Sequence, residues 1–184
     1  GTTNQNAIND LIHTLRVAIW RGIYSKELIE RNSIHFYTDL RRFDDLPFKV
    51  EVFSKARSVV AIPEHLYYYR LARPGQDVSA DDDRLYVHFP IFNYLNQFIR
   101  KSSDQRQLDN LQIVKIHTHQ YALKKIRPEF IAEYVKMAST DLRSNFGFFE
   151  GWYILRKLSR GDLMWYYAIY FGMPNLVKVL IGRK

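Results

Sequence analysis

The apolar residues of this chain change their period near residue 81, and that change does most to limit the fold. From Asp81 onward they recur at helical spacing through Asp81–Arg100, Ser103–Ile126, Pro128–Asn145 and Phe148–Ser159. Pro128 falls at a first-turn position, and Gly147 and Gly161 fall at boundaries. Before residue 81 the pattern is mixed. Residues 4–14 carry Ala7, Ile8, Leu11 and Ile12 on one helical face, Ser25 is placed to cap a short helix, and Asp44 or Asp45 opens another that ends near Arg57. Between these lie β-branched runs that predict short strands at 16–20, 34–37 and 58–70. Thr38–Phe43 and Arg73-Pro74-Gly75-Gln76 are loops by composition. The expected architecture is an α/β part with few short strands over 1–80, followed by a mainly α-helical subdomain over 81–184. Strands so few and short imply a remnant of a larger sheet.

The chain has 184 residues and no cysteine, which removes disulfide frameworks, thiolate metal sites and thiol nucleophiles. Its net charge is +8, of which +5 falls from Arg143 to the C-terminus. A basic segment interleaved with tyrosine and phenylalanine points to an anionic partner. No charged leader precedes an apolar core at the N-terminus, so no signal peptide is expected, and no apolar window is long enough to span a bilayer.

The chemistry-bearing stretch is Val17–Arg70. It contains Ala18-Ile19-Trp20-Arg21-Gly22-Ile23-Tyr24, then Phe43-Asp44-Asp45-Leu46-Pro47-Phe48, then Tyr67-Tyr68-Tyr69-Arg70. In order and spacing these resemble the C-terminal, acceptor-side half of bacterial family-2 glycosyltransferases, inverting enzymes with the GT-A fold. The resemblance covers roughly Leu15 to Ser79, and here Asp44 stands where that family usually has Glu. It implies the C-terminal part of a GT-A fold and transfer from a nucleotide-sugar donor to a surface-polysaccharide or lipid-linked acceptor. It also implies a divalent metal, Mg or Mn, held in an upstream nucleotide-binding half.

By the same resemblance Asp45 takes the place of the catalytic base and Asp44 supports it. A transferred sugar needs a group that accepts the acceptor hydroxyl's proton, and a carboxylate at a helix N-terminus is held in place for it. The other reading is that the pair only caps a helix. Trp20 is either a stacking platform or a core residue. Tyr69 and Arg70 end an extended segment before a loop, where a cation could meet diphosphate or pair with a carboxylate. Asp81-Asp82-Asp83 contains Asp-x-Asp, but it follows the base motif and opens a helix, so capping explains it. Of the six histidines, His117 and His119 sit two apart on different helical faces. His88 is the one assigned a binding role, because it follows a loop.

Leu163–Ile181 is rich in Trp, Tyr and Leu and is flanked by Arg156, Lys157, Arg160, Lys178, Arg183 and Lys184. This predicts an interfacial helix pair on the cytoplasmic membrane face, with Trp165, Tyr166, Phe171 and Leu180 as one exposed patch. Core packing or a homo-oligomer interface is the competing account. A basic aromatic module that docks or assembles without catalysis is the alternative function. No DNA- or RNA-reading motif is present, so nucleic acid is not an expected partner.

Overall fold

A computed structural model describes residues 1–37, 39, 43–70, 80–102, 104–144 and 152–182. The loop at Arg73–Gln76, most of the loop at Thr38–Phe43, the boundary at Gly147 and the cations Arg183 and Lys184 lie outside these residues. The chain divides into two compact units, Gly1–Ser79 and Ala80–Lys184.

The first unit holds α1 (Gln5–Thr14), α2 (Lys26–Arg31) and α3 (Asp45–Lys55). Asn4 caps α1 by accepting from the N–H groups of Asn6 and Ala7, and Ser25 caps α2 by accepting from Leu28. The centre of this unit is α3, whose residues Leu46 to Val52 are all buried. It packs against α1, where Ile8 and Ile12 are fully enclosed. Ile34, Phe48 and Val52 form a second cluster, with Ile19, Tyr24, Leu28 and Ile29 packed on it. Each enclosed Ile or Val side chain contributes about 1.5–3 kcal/mol, enough to fix a helix of this length.

Among the described residues there is no strand, which corrects the expected α/β remnant of a GT-A fold. Residues 16–20 instead run into a 3₁₀ turn at Ile19–Arg21, and 34–37 is irregular. Residues 58–70 are exposed along most of their length, and their single ladder contact is an antiparallel bridge from Val59 to Thr2. The physical reason is pairing. β-Branched residues favour strands only when neighbouring strands satisfy their backbone groups, and no such neighbour is present among the described residues.

The second unit is built from α4 (His88–Arg100), α5 (Gln105–Leu123), α6 (Ile131–Arg143), α7 (Trp152–Lys157), α8 (Arg160–Tyr170) and α9 (Pro174–Gly182). A 3₁₀ turn at Asp83–Val87 leads into α4, and another at Pro128–Phe130 leads into α6. Asp104 caps α5, which runs through the middle in contact with α4, α6, α7 and α8. Around it close Ile91, Leu95 and Ile99 of α4 and Val135, Ala138 and Leu142 of α6.

Trp165 and Tyr166 are buried in this core, so the expected patch of Trp165, Tyr166, Phe171 and Leu180 does not form. The turn after α8 is a Schellman motif, with Met173 N–H bonded to the Ala168 carbonyl and Gly172 N–H to that of Ile169. Gly172 takes φ +63° there, a conformation that favours glycine. Among the described residues no helix is long and apolar enough to cross a membrane.

Candidate functional site

The first unit gathers its aromatic residues beside the N-terminus of α3. Ile19, Trp20, Gly22, Tyr24, Phe36 and Phe48 line a groove of about 370 Å³. Phe36 stacks on Phe48 at 4.6 Å between centroids, and Tyr24 meets the same ring edge-on at 5.1 Å. The Tyr24 hydroxyl donates to the Ile19 carbonyl at 3.2 Å, which closes the chain reversal around Gly22. A side chain at residue 22 would strike the Tyr24 ring, so glycine fits there. Trp20 is 39% exposed and stacks nearly parallel on Tyr69 at 4.8 Å. Tyr67, Tyr68, Tyr69 and Arg70 line a second depression of about 240 Å³.

Asp45 stands one helical turn from Phe48, and its carboxyl lies within electrostatic range of Tyr24. Burial raises its pKa above the ordinary carboxylate value, and the adjacent Asp44 carboxylate raises it further. The backbone N–H groups of Asp45 and Leu46, and the charge of Lys49, pull less strongly the other way. Lys49 is turned toward α1 and donates to the carbonyls of Ile12, at 2.9 Å, and Leu15. There it satisfies two carbonyls at the helix C-terminus. Burial lowers the Lys49 pKa to about 8, against the opposing pull of Asp45.

Asp44 occupies the N-cap position of α3 yet makes no side-chain capping bond. The capping account of this pair therefore fails for Asp44. Phe43, just before it, adopts φ 53°, an outlier for a bulky residue.

Five of the six sequence-nominated residues, Trp20, Asp44, Asp45, Tyr69 and Arg70, lie in the first unit, and the structure brings Trp20 to Tyr69 directly. His88 belongs to the second unit and is 1% exposed, with Nδ1 3.3 Å from the Tyr134 hydroxyl. An enclosed ring has no face to offer an acceptor, so its position corrects the assignment from loop proximity. Sequence reasoning missed Tyr24, Phe36 and Phe48 as groove walls. Phe36 and Phe48 belong to different elements, and nothing in their spacing announces a stack.

Among the described residues no three His, Asp or Glu side chains converge to hold a metal ion. Asp82 accepts from the Arg84 backbone and pairs with its guanidinium, so it is engaged as a cap. The divalent metal that the family resemblance implies is placed by it in an upstream half, and the described residues supply no ligand set of their own for it.

Over 52 residues, 28% of the chain, the sequence is 40% identical to a Bacillus subtilis (strain 168) protein described as the uncharacterized glycosyltransferase EpsJ. The match covers 15% of that protein's length. No protein-family model and no solved structure matches the chain. Part of this sequence is thus similar to part of a glycosyltransferase.

Proposed function

We propose that this chain carries the acceptor-binding and base-supplying part of an inverting glycosyltransferase. The supporting observation is Asp45, a half-buried carboxylate with a raised pKa, beside a groove walled by aromatic rings. Aromatic faces suit the apolar face of a sugar ring, and Trp20 and Tyr69, which stack on each other, each remain partly exposed. The similarity to a glycosyltransferase supports the same class.

In this reading a saccharide or lipid-linked acceptor lies on the aromatic surface with one hydroxyl at Asp45. The hydroxyl oxygen attacks the anomeric carbon of a nucleotide sugar and forms the new C–O bond. The bond to the diphosphate breaks with inversion, and the nucleoside diphosphate leaves with the electron pair. Asp45 takes the hydroxyl proton. Its raised pKa makes it a stronger base than an exposed carboxylate, and Asp44 maintains that shift. In this reading Arg70, which lines the second depression with the tyrosines, supplies the cation that meets the diphosphate. The donor-binding elements and their metal would come from a further polypeptide segment.

The test joins this chain to such a segment and assays transfer from a nucleotide sugar. Asp45→Asn should lower turnover by ~10²-fold or more, the usual contribution of a general base, while leaving saccharide binding intact. The acid limb of kcat/KM should lie above the ordinary carboxylate range, because activity requires Asp45 deprotonated and its pKa is raised. Asp44→Asn should move that limb toward lower pH with a milder loss. Activity within a few-fold of the parent in Asp45→Asn defeats the base assignment. Saccharide binding without any transfer would favour the non-catalytic module instead.

A further inference from the structure

The α8–α9 turn presents apolar side chains that stay partly exposed in the second unit, Phe171 among them although its ring packs against Tyr167 and Tyr170. Phe171 and Val179 are each 51% exposed, Met173 is 47% exposed, and Leu176 is exposed one turn before Val179. Val177 is the one residue of α9 that is fully enclosed, and on its outer side Leu176 and Val179 are exposed beside Asn175 and Lys178. The Schellman motif and a hydrogen bond from Ser139 Oγ to the Tyr170 carbonyl, 2.7 Å, hold the turn in place. The tip is therefore rigid before anything binds it.

Two observations select the occupant. From Leu163 to the C-terminus the sequence has no Asp or Glu, while Lys178, Arg183 and Lys184 carry positive charge. A two-fold pairing of this face would oppose like charges with no acid to offset them. Four exposed apolar side chains are also few against the roughly 20–30 residues that each partner contributes to a stable protein interface. Shallow insertion beside anionic headgroups needs no such number, because Coulomb attraction adds to it.

We propose that the α8–α9 turn docks the chain on an anionic lipid surface. In this docking Phe171, Met173, Leu176 and Val179 enter the headgroup boundary while Lys178 meets phosphate. This inference stands on the second unit and is independent of the catalytic reading.

The test is co-sedimentation of the full chain with phosphatidylcholine vesicles, with and without about 30 mol % phosphatidylglycerol. Binding is expected to the anionic vesicles and to weaken with added salt. The Phe171→Ser/Val179→Ser variant should bind about tenfold more weakly, with unchanged circular dichroism because both residues are exposed. Lys178→Glu should weaken binding further in anionic vesicles alone. No binding by the parent chain, or equal binding by the Ser variant, overturns the proposal. So does a dimer of the parent chain that the Ser variant converts to monomer, since the face would then pair two copies.

Discussion

Asp141→Ala should destabilise the Ala80–Lys184 unit by roughly 3–5 kcal/mol, the usual result of removing one partner from a buried ion pair. Lys115 has no exposed side-chain surface, and its Nζ lies 2.8 Å from Asp141 Oδ1. The other carboxylate oxygen, Oδ2, is 3.0 Å from His119 Nε2. Burial alone would raise the Asp141 pKa, but the His119 hydrogen bond and the Lys115 charge outweigh it and hold the carboxyl below its ordinary value. Alanine would leave an ammonium in the core without its carboxylate, with the Asp141 backbone carbonyl at 3.3 Å and the face of Phe92 near it. The measurement is urea denaturation followed by tryptophan fluorescence in a Trp20→Phe background, where the remaining tryptophans, Trp152 and Trp165, both report the second unit. A loss below about 1 kcal/mol would mean that water reaches Lys115 and the pair is worth little. Asp141→Leu combined with Lys115→Met should recover most of the loss, because no charge is then left unpaired.

This network shows what the sequence could convey. Lys115 and His119 stand four apart on α5, a legible helical pairing, but their acceptor Asp141 is 22 residues beyond His119 on α6. A search for carboxylates or histidines within one helical turn does not find it. The six-residue site list divides on the same principle. The helix start at Asp45 was legible because it is a local signal carried by Asp44, Asp45 and Pro47. His88 was misplaced because nearness to a loop says nothing about which face of α4 packs inward. The runs at 16–20 and 58–70 have strand composition, but composition does not supply the neighbouring strands that pairing requires. In α8 the aromatic residues resembled a surface belt, yet Trp165, Tyr166, Ile169 and Tyr170 share the side turned into the core. The exposed apolar side chains are Met164 in α8 and those at the turn and on the outer side of α9, which average hydrophobicity along the segment does not single out.

Acid should dismantle the second unit well before ordinary carboxylates are protonated. The hydrogen-bond chain runs in one direction. With Asp141 ionised, His119 Nε2 carries a hydrogen toward it, which leaves Nδ1 to accept from the Tyr134 hydroxyl at 3.1 Å. The Tyr134 oxygen in turn accepts from His88 Nδ1 at 3.3 Å. Protonating His119 puts a hydrogen on its Nδ1, so that both this nitrogen and His88 Nδ1 point hydrogens at Tyr134, the hydroxyl loses its acceptor, and a second cation appears beside Lys115. Burial, reinforced by the nearby His119, lowers the His88 pKa from 6.5 to about 3, and burial lowers that of His119 as well. Both folded-state values are depressed relative to the unfolded chain, which therefore binds more protons below pH 6.5. The stabilisation from keeping these rings neutral is complete above pH 6.5 and is lost as pH falls below it, for His88 until about 3. Each histidine steepens the loss by about 1.4 kcal/mol per pH unit once its unfolded form is charged. Asp141, whose pKa is lowered from 3.8, adds to the loss below that value. The urea midpoint of the second unit should drop markedly between pH 7 and 4.5, while His88→Phe should lower the slope by about half. A midpoint that stays level across this range would show that the two rings are charged, or solvated, in the folded chain.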